Sequence, residues 1–173
     1  MLNAFKMRLL AIDPALRSSG VAVLEQNAGK IHCLHHGTIR NPPALSFSGC
    51  LVTIHREIAL LVERFQPEAC AVESVIFVQN SRTAVTLGAA RGCALLAVGQ
   101  SGLPIYEYPP RRVKQAVAGT GTAQKNQVGF MVRVLLGLTE TPEPDAADAL
   151  AIGITHLQMS ASPMSRHSAK VSL

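Results

Sequence analysis

Residues 8–14 read Arg-Leu-Leu-Ala-Ile-Asp-Pro, in which a short apolar run ends abruptly at a carboxylate and a proline. Such a run predicts a buried β-strand that delivers Asp13 to its C-terminal end. Residues 20–24 and 30–39 predict two more strands, because turn residues around Gly29 separate two apolar segments. The chain therefore opens as an antiparallel meander of three strands.

After the meander, the pattern alternates between helix and strand. Apolar residues recur at helical spacing from Ile54 to Phe65, and Pro67 ends that helix. The order of elements predicts an α/β domain with a mixed five-stranded sheet flanked by helices, over residues 1–159. Residues 160–173 contain five serines and no helical periodicity, so we expect a mobile C-terminal tail. The remaining predicted elements are strands at 69–75 and 104–108 and helices at 81–102, 111–118, 124–136 and 145–159.

Composition limits the classes of protein to consider. The chain has 173 residues, of which 48% are hydrophobic and 16% charged, which excludes a disordered or fibrous protein. A net charge of +5 favours a polyanionic partner such as nucleic acid or a membrane surface. The four cysteines form no C-x-x-C pair, no apolar run reaches the roughly 18 residues of a membrane helix, and no secretory signal is apparent. We therefore expect a soluble protein of the reducing cytoplasm.

Four acids occupy positions where acids are locally unfavourable. The only three aspartates are Asp13, Asp145 and Asp148, and the last two share one face at the start of a helix. Turn and helix-start preferences would also explain aspartates at these positions. Glu73 is harder to explain in this way, because it interrupts an apolar strand and an unpaired buried carboxylate costs several kcal/mol.

A bound cation would compensate these carboxylates. The neighbours of the Glu73 strand offer no basic partner, and clustering of the four acids would raise their mutual repulsion. Oxygen ligands are those that Mg²⁺ and Mn²⁺ prefer, and two such ions about 4 Å apart activate water for phosphodiester hydrolysis.

Short motifs from residue 8 to residue 157 follow one another in a specific order. They are Leu-Leu-Ala-Ile-Asp13-Pro, Gly20-Val-Ala-Val, Ala-Val-Glu73, Asn80, Leu-Gly88-x-Ala-Arg91-Gly, Tyr106-Glu-Tyr, Val113-Lys114-Gln and Asp145-Ala-Ala-Asp148-Ala-Leu-Ala. Together they resemble the RuvC-type Holliday-junction resolvases, crossover junction endodeoxyribonucleases of the RNase H-like superfamily. The order and spacing of the four acids are more specific than any single motif.

The resemblance implies an RNase H-like fold and a homodimer that nicks two symmetry-related strands of a four-way DNA junction. It implies two Mg²⁺ ions per active site, with Mn²⁺ as a substitute, and a branch-migration motor as partner. By motif position, the catalytic metal ligands would be Asp13, Glu73, Asp145 and Asp148. Small residues from Gly88 to Ala94 would form the two-fold interface, although packing against the protein's own sheet explains them equally well.

A basic segment provides candidate DNA contacts. Between Glu107 and Glu140 the chain has no acid, and a solvated basic surface is the alternative explanation. The resemblance matches Lys114 and Lys125 to lysines that contact the DNA backbone. The candidate DNA-binding residues are Lys114, Lys125, Arg111, Arg112 and, as a stacking aromatic, Phe77.

Two positions depart from the family pattern. The family places an aromatic residue where Ile76 stands, so Phe77 is either its replacement or a core residue. Ala15 stands where the family usually has glycine, which implies either a different turn or a backbone angle that alanine accepts.

Three other functions are compatible with parts of the pattern. The first is another RNase H-like nuclease that acts on RNA or on a different DNA structure. The second is a sugar-kinase-like or actin-like ATPase, against which the chain length and Ala15 argue. The third is a junction-binding protein without cleavage activity, which four retained acids disfavour.

Overall fold

The structure, a computed structural model, describes residues 6–75, 80–160 and 170–171. Its strands are β1 (Lys6–Asp13), β2 (Ser18–Asn27), β3 (Lys30–Arg40), β4 (Ala69–Glu73), β5 (Ile105–Tyr108) and β6 (Lys170–Val171). Its helices are α1 (Phe47–Phe65), α2 (Ser81–Gly99), α3 (Pro110–Ala118), α4 (Lys125–Leu136) and α5 (Pro144–Ser160).

The strands form one mixed sheet in the order β3-β2-β1-β4-β5-β6. β1, β2 and β3 are antiparallel neighbours, whereas β4 pairs parallel with both β1 and β5. The predicted mixed sheet and its five strands are confirmed. A sixth strand of two residues, Lys170–Val171, pairs with β5 and comes from the segment predicted as a mobile tail, whose residues 161–169 and 172–173 lie outside the described chain.

Alternation along the central strands divides the core into two layers. In β1, Leu9 and Ala11 pack on the layer that holds α3, α4 and α5, whereas Leu10 and Ile12 pack on the layer that holds α1 and α2. All four side chains are fully buried. Because side chains alternate between the faces of a sheet, the residue after Ile12 returns to the α5 face.

Helix α5 is buried nearly all round and lies closely on the sheet. Its residues 146–147 and 149–157 are buried, which is typical of a helix that is apolar on every face. A Cβ atom on Gly153 would lie 2.7 Å from Cδ1 of Leu24 and 3.2 Å from Cβ of Ala11. Glycine at this position therefore allows the helix to approach β1 and β2.

Helix α1 begins at Phe47, seven residues before the first apolar residue used to predict it. The Ser46 side chain caps the helix by accepting a hydrogen bond from the backbone N–H of Gly49 at 3.1 Å. The first turns are partly exposed, so apolar periodicity alone does not reveal them.

A β-bulge in β3 changes which face each side chain occupies. The pairing with β2 shifts between Val23, which lies opposite His35, and Leu24, which lies opposite Cys33. Simple alternation predicts that Cys33 and His35 share a face, and this prediction is wrong. Cys33 packs on the α5 layer, whereas the His35 ring lies 5.5 Å from that of Phe65 at the end of α1.

Candidate active site

Strands β1 and β4 bring Asp13 and Glu73 together at one edge of the sheet. The parallel register pairs Ile12 with Val72, so the two acids that follow are neighbours on adjacent strands. Adjacent strands lie about 4.8 Å apart. Alternation directs both side chains towards α5, since Ala11 and Ala71, two residues earlier, pack on the α5 layer.

Helix α5 brings Asp145 and Asp148 to the same edge. Its first turn passes over Gly20, the residue of β2 that pairs with Asp13. A Cβ atom on Gly20 would lie 1.9 Å from the backbone oxygen of Asp145 and 3.3 Å from Cβ of Ala149. The missing side chain therefore lets α5 begin directly beside the end of β1.

The raised pKa values of Asp13 and Glu73 include, besides burial, repulsion from other acids of the cluster. Burial raises the pKa of Asp13 from 3.8 to about 6, and the negative charges of Asp148 and Asp145 contribute. Burial also raises the pKa of Glu73 from 4.5 to about 7, with contributions from Asp13 and Asp148. Carboxyls in this environment favour a nearby cation, because a cation stabilises their charged forms.

The two acids of α5 have partners within the protein. The Ser18 hydroxyl donates a hydrogen bond to Oδ2 of Asp145, and Nζ of Lys125 lies 2.8 Å from Oδ2 of Asp148. Within residues 6–75 and 80–160, no three acidic, imidazole or thiol groups are arranged to hold a metal ion as they stand. The donor set nevertheless fits a divalent cation, since it consists of carboxylate oxygens on one partly buried edge.

Two lysines lie near the acids, so the expectation that Glu73 has no basic neighbour is wrong. The positive charges of Lys125 on α4 and Lys114 on α3 both oppose the rise in the pKa of Glu73. Arg111 and Arg112 are exposed at the start of α3. Sequence spacing cannot reveal these neighbours, because only the packing of α3 and α4 against α5 brings them to the acids.

The turn after Asp13 closes without glycine. Among the described residues other than glycine, only Ala28 and Gln66 have a positive φ, so Ala15 adopts an angle that alanine accepts. The buried Ser19 hydroxyl accepts a hydrogen bond from the Ala15 N–H at 3.0 Å and donates one to the Ala15 carbonyl at 2.6 Å. The departure at Ala15 therefore leaves the turn intact. The other departure, at residues 76 and 77, lies outside the described residues, and so does the prediction for Phe77.

Comparison with known proteins identifies the family. The profile described as "Crossover junction endodeoxyribonuclease RuvC" matches residues 9–156. The chain belongs to this family. The RuvC of Akkermansia muciniphila is 50% identical over 161 residues, which cover 93% of this chain and 96% of that protein. The RuvC of Chloroflexus aggregans is 46% identical over 151 residues, which cover 87% and 92%.

Solved structures agree with this family. The structure of T. thermophilus RuvC in complex with Holliday junction substrate is 39% identical, covers 87% of this chain and 93% of that one, and gives a TM-score of 0.81. The yeast mitochondrial Holliday junction resolvase Ydc2 is 12% identical with a TM-score of 0.62, which is a likeness of fold alone.

Family membership confirms the central predictions. The chain has the RNase H-like resolvase fold and is a metal-dependent crossover junction endodeoxyribonuclease that acts on Holliday-junction DNA. The ATPase and the non-cleaving binder are thereby set aside as functions. In the part of the chain that the structure describes, no helix has the length and apolarity needed to cross a membrane.

Proposed function

We propose that Asp13, Glu73, Asp145 and Asp148 are the catalytic residues of this RuvC chain and hold two Mg²⁺ ions, for which Mn²⁺ can substitute. Ions held there would activate a water molecule and stabilise the leaving oxygen of a phosphodiester. The carboxylates supply the negative charge and the oxygen ligands, and none of them needs to form a covalent intermediate with DNA.

The observation that carries this proposal is the convergence of two strand ends and one helix start on one edge of the sheet. The register of β1 and β4 supports a shared site for Asp13 and Glu73. The close approach of Gly20 to the Asp145 backbone supports the addition of the helix acids. The raised pKa values of Asp13 and Glu73 support a cation between them, since they reflect burial and mutual repulsion.

We propose that the basic residues beside this edge bind the DNA backbone. Lys125 carries a side chain that is 74% exposed although its ammonium group contacts Asp148, so it can move from the carboxylate to a phosphate. Lys114 lies within electrostatic reach of Glu73. Arg111 and Arg112 extend this basic surface along α3, and Phe77 remains our proposed stacking residue.

We further propose that the chain acts as a homodimer through α2. One face of this helix packs on the protein's own core through Ala90, Ala94 and Val98. The other exposes Val85 and Leu96 at 69% and 55%, and a Cβ atom on the glycines between them, at positions 88 and 92, would meet no atom within 4 Å. A second copy on this face would give two active sites related by two-fold symmetry, as paired symmetric nicks require.

The biological setting follows from the substrate. A resolvase that cuts junctions in the cytoplasm works on the product of strand exchange, and a branch-migration motor that moves the junction would be its partner. A basic chain with a sequence pI near 9.3 is suited to this DNA.

A cleavage assay on defined substrates tests the proposal. Labelled synthetic four-way junctions are incubated with the protein in Mg²⁺ or EDTA, beside linear duplex, single-stranded DNA and an RNA–DNA hybrid. The Asp148→Asn variant removes one proposed ligand. Glu143→Gln is the matched control, because Glu143 precedes α5 but its side chain is 60% exposed and pairs with Arg40.

We expect paired symmetric nicks in the junction alone, lost with EDTA and with Asp148→Asn and kept in Glu143→Gln. Full-rate cleavage by Asp148→Asn would contradict the proposed site. Cleavage of the hybrid in place of the junction would contradict the proposed substrate while leaving the metal site in place.

A further inference from the structure

Two family motifs contribute residues that lie outside the four-acid site. Arg91, in the middle of α2, and Glu107, in β5, both belong to sequence motifs that carry the resemblance. The structure joins them in an ion pair across the α2 layer of the core. The same guanidinium also donates a hydrogen bond from Nη1 to the backbone carbonyl of Glu73, at 2.6 Å.

This arrangement lies directly behind a proposed metal ligand. Glu107 is paired with Val72, the residue before Glu73, so the ion pair lies at the same level of the sheet as the end of β4. The side chains of Val72 and Glu73 point to opposite faces, since Val72 packs on the α2 layer. Arg91 therefore holds the backbone of Glu73 from the face opposite to its carboxylate.

The contacts of Arg91 are mostly shielded from water. Its side chain is 12% exposed and that of Glu107 is 25% exposed. A charge at such a position is retained only when its partners compensate the lost hydration. A planar guanidinium suits this position, because it can donate to a carbonyl and to a carboxylate at the same time.

We propose that Arg91 is a positioning residue for strand cleavage, which fixes the end of β4, and with it Glu73, by bridging the Glu73 carbonyl and the Glu107 carboxylate. The inference rests on the proposed role of Glu73 as a metal ligand. It also assigns a second role to α2, because the helix proposed to meet the second copy holds the active-site strand from behind.

Three variants separate the contacts of this bridge. Arg91→Met removes both contacts while keeping much of the side-chain volume. Arg91→Lys keeps a charge for Glu107 but cannot reproduce the two-armed bridge. Glu107→Gln removes the charge pair and leaves Arg91 able to bond the Glu73 carbonyl. The matched control is Arg56→Met, because Arg56 forms an exposed ion pair with Glu57 on α1.

Four quantities are measured on each full-length variant: the single-turnover cleavage rate, the junction Kd, the Mn²⁺ Kd by calorimetry or electron paramagnetic resonance, and the Tm. For Arg91→Met we expect a loss of about 10- to 100-fold in cleavage rate or Mn²⁺ affinity, the usual effect of removing a group that orients a metal ligand. We expect the junction Kd to stay within about twofold, because Arg91 is mostly buried on the α2 layer of the sheet, opposite to the layer that holds the proposed basic surface of α3 and α4. Arg91→Lys and Glu107→Gln should give smaller losses in the same two quantities, and Arg56→Met none.

Wild-type cleavage and Mn²⁺ affinity in folded Arg91→Met would overturn the inference. So would a loss of junction affinity parallel to the loss of rate. If Arg91→Met does not fold, wild-type values in both Arg91→Lys and Glu107→Gln would overturn it. Glu73→Gln distinguishes this failure from that of the proposed function: full cleavage by Glu73→Gln removes the metal-ligand role, whereas an inactive Glu73→Gln beside unaffected Arg91 variants removes only the bridge.

Discussion

The two halves of the proposed active site are held in different ways. Asp13 and Glu73 are the ends of buried strands, and their carboxylates have no hydrogen-bond donor among residues 6–75 and 80–160. Asp145 lies in the first turn of α5 and Asp148 one turn further on, and each accepts a hydrogen bond from a side chain, that of Ser18 or Lys125. Within the described part of the chain, the strand acids are thus positioned by their backbone without a side-chain donor, whereas the helix acids have partners that can be exchanged.

This difference indicates how a cluster of acids survives in a folded protein without a cation. The strand acids lower their repulsion by holding protons more tightly, as their raised pKa values indicate. The helix acids are stabilised by a hydroxyl and an ammonium group. A bound divalent ion would replace both kinds of stabilisation. The strand acids and the helix acids therefore lead to separate predictions.

Removing one acid from each half tests whether the halves act together. We expect Asp13→Asn and Asp148→Asn each to lower the cleavage rate more than about 1000-fold, or about 4 kcal/mol, because both would hold the same ions. Junction affinity should remain, since neither change removes a positive charge. The measurement is single-turnover cleavage beside a junction-binding titration in Ca²⁺. Wild-type cleavage by either variant would remove that half from the site.

A substitution that moves the start of α5 away from the sheet tests whether the helix acids must lie close to the strand acids. In Gly20→Ala the new Cβ would lie 1.9 Å from the Asp145 backbone oxygen, so the start of α5 must move away from β2. We expect a loss of about 3 kcal/mol in the free energy of unfolding, together with loss of cleavage. Gly99→Ala is the control, because its Cβ would meet nothing within 4 Å and a helical alanine is favoured by up to about 1 kcal/mol. Equal stability of the two variants in urea unfolding would contradict the close approach.

The pH dependence of stability without metal tests the two strand acids, Asp13 and Glu73, alone. The pKa values of Asp13 and Glu73 lie at about 6 and about 7 in the folded protein, above their ordinary values of 3.8 and 4.5. Between pH 4 and pH 7, the unfolded chain therefore releases these protons first, and rising pH lowers the stability of the folded state. At about 1.4 kcal/mol per pH unit, each of the two groups accounts for a loss of up to about 3 kcal/mol across this window, measured by thermal unfolding in EDTA.

The Glu73→Gln variant is the control for that titration. It lacks one of the two raised groups, so its stability should fall less over the same pH range. Saturating Mg²⁺ should reverse the trend in the wild type, because bound metal favours the deprotonated acids. An identical pH profile for wild type and Glu73→Gln would mean that Glu73 does not hold its proton as inferred.

The smallest effect is expected from replacing the lysines near the acids. One of them, Lys125, is the partner that Asp148 would exchange. Lys125→Ala and Lys114→Ala should each lower the slope of log K against log salt for junction binding by about 0.9, the value expected for one phosphate contact. Lys30→Ala, at the far end of β3, should leave the slope unchanged. An unchanged slope in the Lys125 variant would mean that Lys125 stays with Asp148 when DNA binds.

Local sequence patterns predict the frame of this molecule well. The apolar run before Asp13, the carboxylate in the Glu73 strand and the i, i+3 aspartates all reflect short-range periodicity. Their elements lie where expected, except that β4 ends at Glu73 and does not continue to residue 75. Side-chain contacts between elements that are separate in the sequence are not predicted in this way. Ser18 meets Asp145 over 127 residues and Arg91 meets Glu107 over 16, and no local periodicity encodes either contact.

The bulge in β3 and the start of α1 escape prediction for related reasons. A single extra residue reverses the alternation that places Cys33 and His35, and a serine cap extends α1 through turns with little apolar content. Motif residues without an assigned chemistry, such as Arg91 and Glu107, were the available signal for the bridge behind Glu73. In the sequence, these two residues are recognisable only as parts of family motifs. The packing of α2 against β4 and β5 gives them a physical role.

The burial of α5 has a consequence for the order in which the enzyme is made. Synthesis proceeds from the N-terminus, so Asp13 and Glu73 leave the ribosome long before residues 144–160. Until α5 docks, the sheet lacks the helix that covers Leu9, Ala11 and Leu24, and two of the four acids are missing. On the proposed assignment of the four acids, docking of α5 completes the core and the metal site together, so we expect a chain that ends before α5 to lack nuclease activity.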